Sequence, residues 1–254
     1  RKMQYEEALK FAKSGLSIDT YDPATNYYYG LINMKLGKWE DAKDGFEVSS
    51  IGEEYRHASD CMLAEIYLRE NDYENSIRYA RKSTSSNTLS LAPHHIVALS
   101  HRLSGQEDAA VVVLDSLIKA NPLNHFARFE KYILDESERN KALFLTLIQN
   151  ELPIETFLEL AIWYCNLNRP EEAIKVLSLS PKNAIVSCWI AYLKGDKVNA
   201  DSLDPAFVFP HRIETAHMLE ELIRQDDHWI LKYFLALINW NLQNIDATGS
   251  LFHQ

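Results

Sequence analysis

The chain has 254 residues, 46% of them hydrophobic and 24% charged, enough to bury a core and too balanced for disorder. With 26 Lys and Arg against 36 Asp and Glu, the formal charge of -10 argues against a nucleic-acid backbone as partner. No apolar run approaches the roughly 20 residues that a membrane-spanning helix needs, so membrane insertion is not expected.

Eight glycines and eight prolines are few for this length, and the remainder favours helix formers, which predicts a largely helical protein. The opening "RKMQYEEALKFAK" is a charged amphipathic helix without a secretory core. It starts at Arg1, and the chain stops at "SLFHQ" within a helical pattern, so a fragment of a longer polypeptide is expected. Cys61, Cys165 and Cys188 are odd in number and far apart. Buried free thiols in a reducing, cytoplasmic setting follow, rather than a disulfide framework or a zinc site.

From the first helix onward a period of 34 organises the chain. Ala8, Ala42, Ser76 and Ala110 form one series, and Gly30, Ala64 and Ala98 a second. Tyr5, Trp39 and Tyr73 form an aromatic series, and Gly37, Asn71 and Gly105 a turn series. Two antiparallel helices approach closely only where side chains are small, so the first two series mark facing positions of a pair. The turn series supplies residues that tolerate the left-handed conformation ending a helix. In "NYYYG", Asn26 to Gly30, this phase places Tyr29 in the core beside Gly30 and turns Tyr27 and Tyr28 outward.

These residues resemble the tetratricopeptide repeat family: Gly30 with Ala42 and Phe46, Ala64 with Tyr67, Ala98 with Ala110 and Pro122, and Ala161 with Tyr164 and Ala173. The resemblance implies an all-α fold, a right-handed α-α superhelix, or solenoid, of about seven to eight stacked antiparallel helix pairs. Residues 1–122 are expected to be a regular array whose first pair lacks its first helix, and 123–254 irregular hairpins continuous with it.

Within the second half, Pro153 to Leu177 predicts a clear pair, and Ile185 to Leu203 a clipped one. Asp204 to Arg212, "DPAFVFPHR", predicts a loop with exposed aromatics, and Ala236, Thr248 and Phe252 repeat the sites of Gly30, Ala42 and Phe46. The phrases "NPLNHFARFEKYIL", "FVFPHR" and "DHWILKYFLALINW" are similar to the repeat region of long bacterial proteins with an amino-terminal mutarotase-like β domain. That resemblance implies, as an alternative role, an appendage that regulates or positions a carbohydrate-related enzyme or binding domain.

No catalytic constellation is visible: the chain has no Gly-rich phosphate loop, no Gly-x-Ser-x-Gly elbow and no His-Glu-x-x-His helix. No cofactor is expected. His94, His95 and His101 form a local cluster without a third ligand at metal spacing, so His94 and His101 are expected between helices and His95 toward solvent or the groove. "DESE", Asp135 to Glu138, is expected to cap a helix.

A solenoid of this kind binds extended partners along the wall formed by the first helix of each pair. Phase places Tyr27, Tyr28, Leu31 and Lys35 there, then Met62, Glu65 and Arg69, then His95, Leu99 and Arg102. The chaperone-binding members of the family clamp a terminal carboxylate with Lys, Asn and Arg, and Tyr28 and Met62 stand here in place of the Asn. A protein or peptide partner with an apolar anchor is therefore expected, its acidic group meeting an edge of Lys35, Arg69 and Arg102. A further alternative is homo-oligomerisation through open ends of the array, at Ala8 and Phe11 or at Leu251 and Phe252.

Overall fold

The computed structural model describes residues 5–149 and 152–252, without the side chains of Asp246 and Phe252. Among the described residues all regular structure is helical: fifteen α-helices and one 3-10 turn, Ala200–Ser202. The chain forms two compact units, Lys2–Ile148 and Gln149–Gln254. The strict 34-residue spacing lapses at Pro122, but the first unit continues through another helix pair.

In the first unit the helices are α1 (Tyr5–Ile18), α2 (Pro23–Lys35), α3 (Trp39–Ser49), α4 (Glu53–Arg69), α5 (Tyr73–Ser86), α6 (Ala92–Leu103), α7 (Glu107–Ala120), α8 (His125–Leu134) and α9 (Glu138–Leu145). Each packs on the next, and α2, α4, α6 and α8 also touch in succession, forming a wall of first helices. The starts of α2, α5 and α8 are capped by short polar side chains: Asp22 accepts from Thr25 N–H at 2.7 Å, Asp72 from Asn75 N–H at 3.1 Å, and Asn124 from Ala127 N–H at 2.9 Å. In "DESE" the capping residue is Ser137, which accepts from Asn140 N–H at 3.3 Å.

First helices end at left-handed residues, Gly37 (φ 71), Asn71 (φ 65) and Gly105 (φ 76). After each, an N–H reaches back five residues, from Lys38 to Asn33 O, Asp72 to Tyr67 O and Gln106 to His101 O, at 2.8–2.9 Å. This bond satisfies a terminal carbonyl and turns the chain into the second helix. Ala42, Ser76, Ala110, Ala64 and Ala98 have no residual exposure, and Ser76 Oγ donates to Ala64 O across the pair at 2.9 Å. At the tightest pair, a Cβ on Gly30 would lie 2.8–2.9 Å from the Phe46 ring, and one on Gly45 would lie 2.8 Å from Asn26 O.

The structure corrects the reading of the tyrosines. Phe46 of α3 fills the space over Gly30, and Tyr27 is the tyrosine that packs on it, with ring centroids 5.8 Å apart. Tyr29 is half-buried toward Asp41 and Asn33, and its hydroxyl is held above its ordinary pKa by burial and by Asp41.

The second unit contains α10 (Ile154–Asn166), α11 (Pro170–Ser178), α12 (Ala184–Lys194), α13 (Ile213–Gln225), α14 (Trp229–Asn241) and α15 (Ile245–Phe252). The same turn recurs at Asn168 (φ 59), Gly195 (φ 71) and Gln243 (φ 58), with back-bonds from Arg169, Asp196 and Asn244 at 2.9 Å. These turns set the register. Cys188, fully buried, stands seven residues before Gly195 as Gly30 stands before Gly37, so Cys188 occupies the close-packing site. The clipped pair is also corrected. Residues 196–203 do not supply the second helix; α13 does, packed on α12 with Trp189 Nε1 donating to Thr215 Oγ1 at 3.1 Å.

Candidate partner-binding face

The wall of α2, α4, α6 and α8 gathers the residues that phase assigned to it, in different states. Tyr27 is half-buried in an aromatic cluster with Tyr28 (5.9 Å), Phe46 (5.8 Å) and Tyr55 (5.3 Å), and burial raises its pKa. Tyr28 stands on this support with 57% of its surface exposed. Leu31 is half-buried and Lys35 exposed. On α4, Met62 and Glu65 are half-buried and Cys61 is buried. Leu99 of α6 is wholly buried and offers no contact surface. Tyr55, which covers the edge of Tyr27 from the first turn of α4, shares the face of Met62 but was missed because its counterpart one period earlier, Tyr21, precedes α2.

Desolvation dominates the electrostatics of this wall. Burial pushes the Glu65 carboxyl up to about 7 despite the opposing pull of Lys35, and the Cys61 thiol up to about 12. A thiol held so high is a poor nucleophile. Burial and the neighbouring His94 hold His95 down to about 4. Its ring lies 4.3 Å from that of Phe126, and its Nε2 is 3.0 Å from the Asn124 side-chain amide. Because Asn124 Oδ1 already accepts from Ala127 N–H, its amide nitrogen faces the imidazole, so Nε2 accepts and the neutral ring carries its proton on Nδ1. His95 therefore joins α6 to α8 instead of facing solvent.

The expected cationic edge is not a row open to a carboxylate. Arg102 donates from Nε to Glu130 Oε2 at 2.6 Å and from Nη2 to Oε1 at 3.3 Å, with the Glu130 side chain fully buried. Arg69 lies 4.4 Å over the Trp39 ring, and burial lowers its pKa. Lys35 stays at the surface near Glu65. Of the histidine cluster, His101 is buried with Nδ1 2.9 Å from Gln106 Oε1, and His94 is half-buried. Among the described residues no three His, Cys, Asp or Glu side chains gather as a metal site, and no helix is long and apolar enough to cross a membrane. At the ends of the array, Phe11 of α1 is 72% exposed, Ala8 and Leu251 are half-buried, and the Phe252 side chain lies outside the described part.

The helix pair α4–α5 carries the small-residue contact, the left-handed Asn71 and the stacked Tyr67 and Tyr79, 5.3 Å apart. Residues 61–88 match the tetratricopeptide repeat. The matched stretch runs from Cys61 on α4 through the turn at Asn71 to the end of α5, and it supports a general role in protein–protein interaction. No curated protein matches the chain. A similar solved chain comes from "Structure of Naa15/Naa10 bound to HypK-THB", with 16% identity and a TM-score of 0.39 over 98% of this chain and 44% of that one. The present chain thus spans less than half the length of that protein.

Proposed function

We propose that the chain is a non-catalytic scaffold that holds an extended protein or peptide segment against the wall of α2, α4 and α6, in a reducing, cytoplasmic compartment. The observation that carries this reading is Tyr28, an exposed aromatic ring on a first helix, braced from behind by Tyr27 and Tyr55. Exposed aromatics on a rigid support are the residues that dominate binding energy at interfaces. The partner's anchor is apolar. An acidic terminus is disfavoured, because Glu130 neutralises Arg102 and Glu65 lies in the wall. The free thiols Cys61, Cys165 and Cys188 support the compartment.

The test is the substitution Tyr28→Ala, which removes the exposed ring and spares the cluster beneath it. Proteins co-purifying with the wild-type and substituted chains from the source cell are compared by quantitative mass spectrometry, with circular dichroism as the check on folding. Loss of a specific set of partners is expected; an unchanged set from a folded Tyr28→Ala chain refutes the reading.

A further inference from the structure

Residues 195–212 leave α12 at Gly195 and join α13 only at Ile213, crossing the second unit as an irregular strap. Near its end the side chains alternate. Phe207 and Phe209 are 88% and 68% exposed, whereas Val208 between them is 4% exposed and lines a small crevice together with Ile154 and Leu158 of α10 and Ile185 of α12. Four residues after Val208, Arg212 places Nε and Nη2 each 3.0 Å from Glu155 Oε2 on the first turn of α10. His211 Nε2 lies 3.7 Å from the same oxygen.

The crevice falls on the binding phase of the repeat. Leu158 stands ten residues before the left-handed Asn168, and Ile185 ten residues before the left-handed Gly195. Tyr27 stands ten residues before Gly37 in the first unit. Val208 is thus seated on two copies of the wall position that Tyr27 occupies. Phe207, at φ 56, is the left-handed residue of a turn in which Val208 N–H reaches back to Pro205 O at 3.4 Å, and this turn sets the alternation.

We propose that the α10–α12 face is a second peptide site, filled in cis by the chain's own residues 207–212. When the strap is displaced, the site takes a partner segment of the same chemistry: a branched apolar residue followed four positions later by arginine. The apolar residue enters the crevice of Leu158 and Ile185, and the guanidinium is read by Glu155. A tethered segment competes at a high effective concentration, so a partner engages only when the strap is released or outcompeted. This site lies in the other unit from Tyr28 and does not depend on that reading.

The experiment uses the full chain and a fluorescein-labelled peptide of residues 204–213, followed by fluorescence anisotropy. The wild-type chain is expected to bind the peptide weakly. Val208→Ser, which loosens the strap and leaves the crevice intact, is expected to bind it at least ~10-fold tighter. Adding Glu155→Gln to Val208→Ser is expected to remove that gain. No gain in Val208→Ser, or a gain that survives Glu155→Gln, overturns the proposal. Hydrogen exchange on the wild-type chain tests it without a substitution. The amides of residues 206–212 should exchange by local opening while α10 and α12 stay protected, and exchange of the strap only in step with those helices also overturns the proposal.

Discussion

Replacing Gly45 by Ala tests the close-packing argument at its tightest point. In an ordinary exposed helix position this change stabilises by about 1 kcal/mol, because alanine is the better helix former. In α3 the added Cβ would stand 2.8 Å from Asn26 O, 2.9 Å from Gly30 N and 3.1 Å from Gly30 Cα. All three atoms are backbone of α2, so no side-chain rotation relieves the clash, and the helices must separate. Separation disturbs the Phe46 ring, which is fully buried over Gly30 in the same interface. Overpacking of this kind costs about 1–3 kcal/mol. Set against the propensity gain, the net effect is a loss of up to about 2 kcal/mol. Gly249→Ala in α15 is the control, since its Cβ would meet nothing within 4 Å, and a gain of up to about 1 kcal/mol is expected there. Urea unfolding followed by circular dichroism measures both, and hydrogen exchange should localise the loss to α2 and α3. A Gly45→Ala chain stabilised by about 1 kcal/mol, as at an unobstructed helix position, would refute the packing argument.

Other consequences follow from the wall. Arg102→Ala removes the ion pair between Arg102 and the buried Glu130 carboxylate and is expected to destabilise by about 3 kcal/mol in urea unfolding; the double change Arg102→Met, Glu130→Leu should cost much less. His95 has a folded pKa of about 4, below its unfolded value, so the unfolded chain binds the extra proton and stability falls as pH drops from about 6.5 toward 4. His95→Gln should flatten that part of a stability-versus-pH curve. Glu65 acts in the opposite sense: with a folded pKa of about 7, the native state holds the proton between about 4.5 and 7, and stability falls as pH rises through that window. Glu65→Gln is expected to raise stability at pH 8 by about 1–3 kcal/mol, and no gain there would contradict the assigned burial. Tyr27→Ala should cost about 2 kcal/mol of stability through its lost aromatic contacts, whereas Tyr28→Ala should leave stability within about 0.5 kcal/mol, as thermal unfolding will show.

The repeat was legible because its devices are local. Gly37, Asn71 and Gly105 announce a left-handed turn by residue type, and Ala42, Ser76 and Ala110 announce a close contact by size. Neither needs knowledge of what lies across the interface. Register in the second half was harder, because Cys188 and Ala191 are both small enough for the contact; the turn at Gly195 decides between them. The candidate face was less legible than the fold. Arg102 is spoken for by Glu130, 28 residues away on the next pair, a partnership that the pattern of either helix does not announce. Tyr27 rather than Tyr29 packs on Phe46 because the space above Gly30 is filled from α3, so α2 alone does not say which ring meets the core.

The sequence by itself determined that this chain is a series of close-packed helix pairs, since small residues and left-handed turns at a fixed period leave few other ways to bury the apolar faces. The tertiary structure alone decided which wall residues remain exposed. Tyr28 stays outside, while His95 and Arg102 are bound to Asn124 and Glu130, and Leu158 and Ile185 share a crevice with the buried Val208. Each outcome depends on a neighbour from another helix or loop, and desolvation and charge pairing act through space, where periodicity along the chain carries no information.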